Sequence, residues 1–157
     1  MSRNKEKMKL VIQRVQKAKV VVNKKMVGQT GQGMIVFLGV EESDQEEKIE
    51  PTVKKLLNLR IFENDKKKFD KSVLEIKGEI MVIPQFTLFA DCSKGNRPYF
   101  GQAAKGEIAK VFFEKFVAVL KKSGLKVETG VFGAKMEIEA INDGPVTIIL
   151  SEFPLNR

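Results

Sequence analysis

The segment "MIVFLGV", residues 34–40, gives the clearest indication of the fold. It is the longest apolar run in the chain, yet it is far shorter than the about 18 residues that a membrane-spanning helix needs. A run of this length and composition is typical of a strand buried inside a sheet. "GEIMVI" (78–83) predicts a second buried strand by the same criterion.

Other segments predict further strands. "KLVIQRV" (9–15) and "KVVV" (19–22) are two short β-rich runs, followed by a hairpin connection at "VNKKMVG" and a flexible bend at "GQTGQG". "LRIF" (59–62) is another candidate. In "AKMEIEAI" (134–141) the side chains of Met136, Ile138 and Ala140 alternate with Glu137 and Glu139, which predicts a half-exposed strand. "VTIIL" (146–150) predicts a buried strand after a turn.

Two segments predict helices. The first follows Ser43 and Asp44, which are candidate caps, and Pro51 indicates that it begins late or bends. Its expected buried face is formed by Ile49, Val53, Leu56 and Leu57. The second covers residues 105–123 and ends at Gly124. Its expected buried face is formed by Ile108, Phe112, Phe116, Val119 and Leu120.

These segments predict a single α+β domain with about seven strands and two main helices, built on a mostly antiparallel sheet or partial barrel. We expect the domain to cover residues 8–153, with residues 1–7 as a disordered N-terminal extension. The charged N-terminus lacks the apolar region of a signal peptide, and the single cysteine, Cys92, excludes an internal disulfide. Both features favour the cytoplasm.

The charge and the missing histidine constrain the function. The formal charge of +8, from 28 Lys and Arg against 20 Asp and Glu, favours a polyanionic partner such as nucleic acid. The chain has no histidine at all, which excludes Ser-His-Asp and Cys-His catalysis and every histidine-ligated metal site. An enzyme with this composition must work without the side chain best suited to proton transfer at neutral pH.

Several candidate sites are better explained as ordinary structure. "GQTGQG" precedes a strand rather than a helix, so it is a turn and not a phosphate-binding loop. "EESDQEEKIE" lacks the spacing of a calcium loop, and Cys92 has no partner that would activate its thiol. The basic residues are scattered along the chain, so their positions do not distinguish an RNA-binding surface from an ordinary solvated one. They are Lys66, Lys67, Lys68, Lys94, Arg97, Lys121 and Lys122.

Two segments combine a strand with unusual polar or rigid residues. In "IPQFTLFAD" (83–91) an extended strand would place Gln85 and Thr87 on one face and Phe86 and Leu88 on the other. In "INDGPVTIIL" (141–150) a turn with a rigid Gly-Pro pair precedes a strand. Strand ends need polar residues in any fold, so the residues alone leave a structural role and a functional site both open.

Taken together, these segments resemble the D-aminoacyl-tRNA deacylase family from Met8 almost to the C-terminus. The resemblance rests on "MKLVIQRV", "MIVFLGV", "LNLRIF", "QFTLFAD", "KGNRP", "FGAKM" and "NDGPVT". Two motifs mark that family, a Ser-Gln-Phe-Thr-Leu strand end and an Asn-x-Gly-Pro-Val-Thr turn. The turn is intact as Asn142, Asp143, Gly144, Pro145, Val146 and Thr147.

The resemblance implies a homodimer, with no metal, cofactor or membrane partner, that hydrolyses the ester between a D-amino acid and the terminal adenosine of tRNA. It implies a cis Gly144–Pro145 bond, inserted into the active site of the partner subunit as a filter against L-amino acids. Glycyl-tRNA would be imperfectly rejected. The 2′-hydroxyl of the ribose would assist proton transfer, and backbone N–H groups near Phe86 and Thr87 would polarise the carbonyl.

The same resemblance assigns the remaining roles. Gln85 would orient the substrate, and Thr87 would be a polar contact rather than a nucleophile, since no base adjoins it. Ala134 and Met136 would line the pocket. Arg14 would brace the Gly-Pro turn, with Asn142, Val146 and Thr147 as further structural support.

Pro84 departs from the family motif, which usually has serine there. A related group of deacylases that remove a mischarged L-amino acid carries Pro-Gln at this point, but it has alanine in place of Phe86 and a trans Gly-Pro bond. Phe86 and "NDGPVT" favour the D-specific group. Two alternatives stay open: a deacylase of L-alanyl-tRNA, and a tRNA-binding module without catalysis.

Overall fold

The computed structural model describes residues 8–151, so the expected extension of residues 1–7 and the last two residues of the expected domain lie outside the described range. Within this range eight strands and two α-helices follow one another, together with two short 3-10 helices at Glu46–Lys48 and Phe86–Phe89. The elements are β1 (Lys9–Val22), β2 (Lys25–Thr30), β3 (Gly33–Gly39), α1 (Ile49–Asn58), β4 (Phe62–Glu63), β5 (Phe69–Lys71), β6 (Glu79–Pro84), α2 (Gly106–Lys121), β7 (Val127–Thr129) and β8 (Glu137–Leu150).

The long strand β1 organises the sheet. It pairs antiparallel with β3 through residues 9–15 and with β2 through residues 18–22, while β8 pairs with it from residue 10 to residue 21. The prediction of two separate runs, 9–15 and 19–22, was wrong. The polar residues between them, Gln16 and Lys17, lie at a register shift against β8, so they mark an irregularity within one strand and not a loop.

The strand order is β2-β1-β3-β6-β7, with β8 on the other edge of β1 and a separate β4–β5 pair. The pairs β3–β6 and β6–β7 are parallel and the others are antiparallel. The sheet curls so that Gly28 of β2 lies against the carbonyl oxygen of Thr129 in β7, where an added Cβ would be 3.0 Å from that oxygen. The expected α+β fold on a sheet that nearly closes is confirmed.

Two apolar layers lie on opposite faces of this sheet. Both helices cover one face, where Phe116 of α2 and Leu56 of α1 pack in a cluster with Leu10, Ile12 and Val36. The alternate residues of the same strands form the second cluster, whose buried members are Val15, Ala18, Val20, Ile35, Met81 and Ile83. Met136, just before β8, and Ile138 of β8 pack against this second cluster.

The helices differ from the prediction at their edges. α1 begins at Ile49, so Pro51 falls in its first turn, where the missing N–H costs nothing. Asp44 is not a cap: its carboxylate accepts hydrogen bonds from the backbone N–H groups of Glu41 and Met8, at 2.6 and 3.0 Å. The expected buried face of α1 is confirmed. In the part of the chain that the structure describes, no helix is long and apolar enough to cross a membrane.

The buried face of α2 is rotated from the prediction. Ile108 is 67% exposed, and the residues that face the sheet are Ala109, Phe112, Phe113, Phe116, Val117 and Leu120. The helix begins only at Gly106, so Ile108 lies in its first turn. Gly124 follows the helix with φ of +83°, as expected of a residue that ends one.

The two strand segments predicted near the C-terminus form the single strand β8, which continues through the Gly-Pro pair. The prediction that 146–150 is buried was wrong, since Ile149 is 67% exposed. Within residues 8–151, β1 is the only strand that pairs with β8, and the outer face of β8 is uncovered there. An apolar strand with one open edge and one open face is a surface suited to association.

Candidate active site

A cleft of about 330 Å³ opens where the parallel strands β3 and β6 end together. Its walls come from these strand ends, the 3-10 helix after β6, the N-terminal half of α2 and the segment before β8. The lining residues are Leu38, Val40, Ile83, Pro84, Gln85, Phe86, Ala109, Phe113, Phe132, Gly133, Ala134, Met136 and Ile138. None of them carries an ionisable side chain.

The chain turns sharply after Pro84, the last residue of β6. The backbone N–H of Gln85 donates to the carbonyl of Leu38 at 2.8 Å, and Phe86–Phe89 then form a 3-10 helix. The prediction of an extended strand through this segment, with Gln85 and Thr87 on one face, was therefore wrong. Pairing of β6 with β3 ends at Pro84, and beyond this point helical hydrogen bonds replace the ladder, from the N–H of Leu88 to the carbonyl of Gln85 and from the N–H of Ala90 to the carbonyl of Thr87.

This turn determines how the motif residues are presented. Phe86 stands at the mouth of the cleft and is 58% exposed. Thr87 does not line the cleft; its hydroxyl accepts a hydrogen bond from the side-chain amide of Gln85. The amides of Phe86 and Thr87 open the 3-10 helix, and within residues 8–151 neither donates a hydrogen bond. Two unpaired N–H donors thus lie beside the cleft.

Ala134 and Met136 also line the cleft. Met136 lies over Gly130, where an added Cβ would collide with its sulfur, and it packs on the second apolar cluster. The apolar end of the cleft contains Phe113 and Phe132, whose ring centroids are 6.2 Å apart. Sequence reasoning missed Ala109, Phe113 and Phe132, because apolar residues that line a cleft have the same pattern as core residues.

Gly144 and Pro145 lie elsewhere on the molecule and do not line the cleft of their own chain. Thr147 of β8 pairs with Gln13 of β1, and Asn142 pairs with Val15. Residues 143–146 of β8 therefore face the single residue 14 of β1, and they form an exposed turn. The Gly144–Pro145 bond is cis, in agreement with the expectation. Gly144 has φ of +154°, and an added Cβ would lie 2.5 Å from the backbone nitrogen of Val146.

Arg14 lies beneath this turn and is only 4% exposed. Its Nε donates to the carbonyl of Asp143 at 2.9 Å, and its Nη1 donates to the carbonyl of Ile61 at 2.8 Å. Glu63 lies 3.4 Å from Nη2, and the ring of Phe69 is 5.6 Å from the guanidinium carbon. The guanidinium thus connects the turn to the β4–β5 hairpin.

The other support residues are also placed by the structure. Thr147 accepts a weak hydrogen bond from Gln13 at 3.4 Å, Asn142 continues the β1 ladder, and Val146 packs against the helix-side core. Sequence reasoning missed the contribution of Glu63 and Phe69, because the hairpin that carries them has the charged composition of a solvated loop. The structure therefore brings Gln85, Phe86, Ala134 and Met136 together and leaves the Gly-Pro turn apart.

The comparisons with known proteins agree on the family. A family model described as D-Tyr-tRNA(Tyr) deacylase matches residues 11–151. The chain belongs to this family. The resemblance read from the motifs is thereby confirmed. A D-aminoacyl-tRNA deacylase of Aquifex aeolicus is 56% identical over 143 residues, which is 91% of this chain and 97% of the relative. One from Dictyoglomus turgidum is 49% identical over 150 residues, 96% of each chain.

Two solved structures resemble this deacylase-family fold. One, described as c-Myc DNA Unwinding Element Binding Protein, is 41% identical, has a TM-score of 0.85, and aligns over 93% of this chain and 99% of its own. The other is described as a probable eukaryotic D-amino acid tRNA deacylase and has a TM-score of 0.82, over 92% of this chain and 99% of its own. At 18% identity the second likeness concerns the fold alone.

The Arg14 contacts generate a prediction about the Gly-Pro turn. Arg14→Lys keeps the charge but cannot reach both carbonyl groups, so at least one buried acceptor loses its donor. We expect the free energy of unfolding to fall by about 2 kcal/mol or more. Hydrogen exchange should also become faster at the amides of residues 142–147. Urea denaturation and exchange mass spectrometry measure the two effects.

Arg60→Lys is the matched control. Arg60 also donates to a carbonyl and a carboxylate, both of Asp70, but it is exposed, so we expect a loss below about 1 kcal/mol. Equal losses in the two variants, with unchanged exchange at residues 142–147, would contradict the role of Arg14 beneath the turn.

Proposed function

We propose that this protein is a cytoplasmic homodimer that hydrolyses the ester bond of D-aminoacyl-tRNA to give a free D-amino acid and tRNA. Family membership supports the hydrolase activity and tRNA as the substrate. The observation that carries the mechanism is the cleft without an ionisable side chain, bordered by two unpaired backbone N–H groups. Such a cleft can bind and orient an ester, but it provides no acid or base of its own.

The two ends of the cleft suit the two parts of the substrate. Phe113 and Phe132 offer apolar surface to the flat adenine base of the terminal nucleoside. The ester would then lie near Gln85 and Phe86, at the end of β6. Ala134 and Met136 border the space left for the amino acid. A volume of about 330 Å³ is in the range of clefts that hold small ligands.

The reaction needs little from the protein side chains. A water molecule attacks the carbonyl carbon, and the carbonyl oxygen takes up negative charge that the N–H groups of Phe86 and Thr87 stabilise. The bond to the ribose oxygen then breaks, and that oxygen receives the proton that the water loses. The neighbouring 2′-hydroxyl of the substrate relays this proton. The absence of histidine is compatible with this mechanism because the ester is already labile.

Selection for the D-isomer requires a wall at the place where an L side chain would point. Among the described residues, the lining of the cleft does not include Gly144 or Pro145, so the rigid turn is not part of the cleft of its own chain. We infer that the turn of a second copy enters the cleft and that the carbonyl groups of Gly144 and Pro145 hold the substrate amino group. The exposed apolar residues Phe86, Ile141 and Ile149 support an association of two copies. Glycine, having no side chain, would pass this filter in part.

Pro84 lines the cleft at the position where the family usually has serine. The L-specific group has proline there, so this residue supports the L-specific alternative. Phe86, which also lines the cleft, stands where the L-specific group has alanine and favours the D-specific assignment. Which aminoacyl-tRNA the protein hydrolyses therefore distinguishes a D-specific from an L-specific deacylase.

A panel of charged tRNAs tests the proposed activity. We expect D-tyrosyl-tRNA to be hydrolysed at least about 100-fold faster than L-tyrosyl-tRNA, with glycyl-tRNA between them and L-alanyl-tRNA untouched. Preference for L-alanyl-tRNA would identify the L-specific relative. Binding of tRNA with no hydrolysis of any substrate would identify a binding module. The rates are measured as release of labelled amino acid.

The filter predicts the effect of a larger residue in the turn. Gly144→Val should reduce turnover of D-tyrosyl-tRNA by at least about 100-fold, since the new side chain collides with Val146 and distorts the pair of carbonyls. The fold should survive because the turn is exposed. Gly124→Val is the control. Gly124, which follows the C-terminal end of α2, also has positive φ, but an added Cβ there meets nothing within 4 Å. This variant should therefore keep its turnover of D-tyrosyl-tRNA. Full activity of the Gly144 variant would refute the filter.

The role of Thr87 generates a further prediction. Thr87→Val removes the hydroxyl but keeps the backbone N–H, so kcat/KM for D-tyrosyl-tRNA should fall by less than about tenfold. If the hydroxyl were the nucleophile, the loss would be about 10⁴-fold or more. Steady-state kinetics distinguish the two results.

A further inference from the structure

The rim of the cleft next to Phe86 is a loop of residues 91–102, called here the rim loop. Its base is closed by two hydrogen bonds between Asp91 and Tyr99, at 2.7 and 2.9 Å. Its end is attached to the strand side of the cleft by the bond from the N–H of Glu42 to the carbonyl of Gln102, at 3.0 Å. The ring of Phe100 meets the ring of Phe86 edge to face, with centroids 5.1 Å apart. The rim loop is thus fixed against a residue that lines the cleft.

The rim loop carries free positive charge. Lys94 and Arg97 are exposed, and neither forms an ion pair with any residue between 8 and 151. Lys115, by contrast, pairs with Glu46 at 2.6 Å. The acidic residue of the loop, Asp91, is occupied by the N–H and hydroxyl of Ser93, at 2.9 and 2.6 Å. These hydrogen bonds hold the pKa of Asp91 below its ordinary value.

The rim loop also carries an exposed aromatic ring. Tyr99 is 67% exposed, and its ring rests on the backbone of Gly101, where an added Cβ would collide with it. Phe86 adds a second exposed ring at the mouth. Cations that contact phosphates, next to rings on which bases stack, are the usual means of binding single-stranded nucleic acid. A solvated loop would need the charges but not the aromatic ring.

We propose that the rim loop binds the single-stranded 3′ end of tRNA next to the terminal adenosine, with Lys94 and Arg97 on phosphates and Tyr99 stacked on a base. This inference rests on the proposed function. With the terminal nucleoside in the cleft, the preceding nucleotides leave through the mouth, where the rim loop is the basic and aromatic side. The double-stranded stem begins farther along the RNA and offers no unstacked base to Tyr99.

Two substrates with the same ester separate this contact from catalysis. D-tyrosyl-tRNA carries the 3′ strand, whereas D-tyrosyl-adenosine ends at the ribose and has no phosphate. In the double variant Lys94→Gln/Arg97→Gln we expect KM for D-tyrosyl-tRNA to rise about tenfold at 0.15 M salt, with kcat nearly constant. The slope of log KM against log salt should become shallower by about 1.4, which is the value for two lost contacts to a single strand. With D-tyrosyl-adenosine kcat/KM should change less than twofold.

Lys121→Gln/Lys122→Gln is the matched control, because it removes the same charge at the opposite end of α2. It should leave KM and its salt dependence as in the unmodified protein. Tyr99→Ala should raise KM for D-tyrosyl-tRNA about tenfold, and Tyr99→Phe, which keeps the ring, should restore it. Equal effects of the two double variants would overturn the proposal, and so would equal losses on both substrates.

Binding of uncharged tRNA tests the rim loop without reference to hydrolysis. Fluorescence anisotropy should give a weaker Kd for Lys94→Gln/Arg97→Gln than for the control variant. The difference should disappear when the 3′ single strand is trimmed from the tRNA. A difference that persists on trimmed tRNA would place the contact on the stem and refute the proposal. If neither ester is hydrolysed, the proposed function fails, while this measurement still decides on the rim loop.

Discussion

The contact between Arg14 and the Gly-Pro turn depends on a mismatch in length between two paired strands. Four residues of β8 stand opposite one residue of β1, and that residue is Arg14. The surplus backbone must leave the sheet, and its carbonyl at Asp143 would lack a donor without the guanidinium beneath it. A buried arginine can hold two carbonyl groups from different segments in one plane, which a lysine cannot. The turn is therefore exposed and yet firmly held.

This arrangement separates the parts of the proposed active site. The cleft lies at the ends of β3 and β6, and the turn lies on the far edge of β1, so one chain holds both parts but does not combine them. The exposed turn of one copy can supply the wall that the cleft of a second copy needs. Dimerisation, under this proposal, completes the site and does not merely stabilise the fold. The apolar residues left open on β8 are consistent with this reading.

The sequence was sufficient for the parts that depend on local pattern. β3 and β6 follow from apolar runs, the buried face of α1 from helical spacing, and the turn from its Gly-Pro pair. The sequence was insufficient where the local structure depends on contacts between residues that are far apart in the sequence. The chain after Pro84 becomes a 3-10 helix because its pairing with β3 ends there. Glu63 contacts Arg14 although the two residues are 49 positions apart in the sequence. The local sequence of a charged hairpin does not predict a contact of this kind.

The distribution of charge separates two roles in the proposed site: the cleft orients the ester, and the basic rim binds the tRNA. Between residues 8 and 151, no side chain that lines the cleft is ionisable, so these residues contribute apolar contacts and a few hydrogen bonds to binding. The substrate, however, is a large polyanion, and most of its possible binding energy lies far from the ester. Binding energy from a remote part of a substrate can orient the reacting group. A cleft that distinguishes mirror images by shape gains from this arrangement, because contacts outside it hold both isomers equally and leave the distinction to the wall. Cations on the rim therefore improve binding without weakening selection, whereas a carboxylate inside the cleft would bind the ammonium group of either isomer.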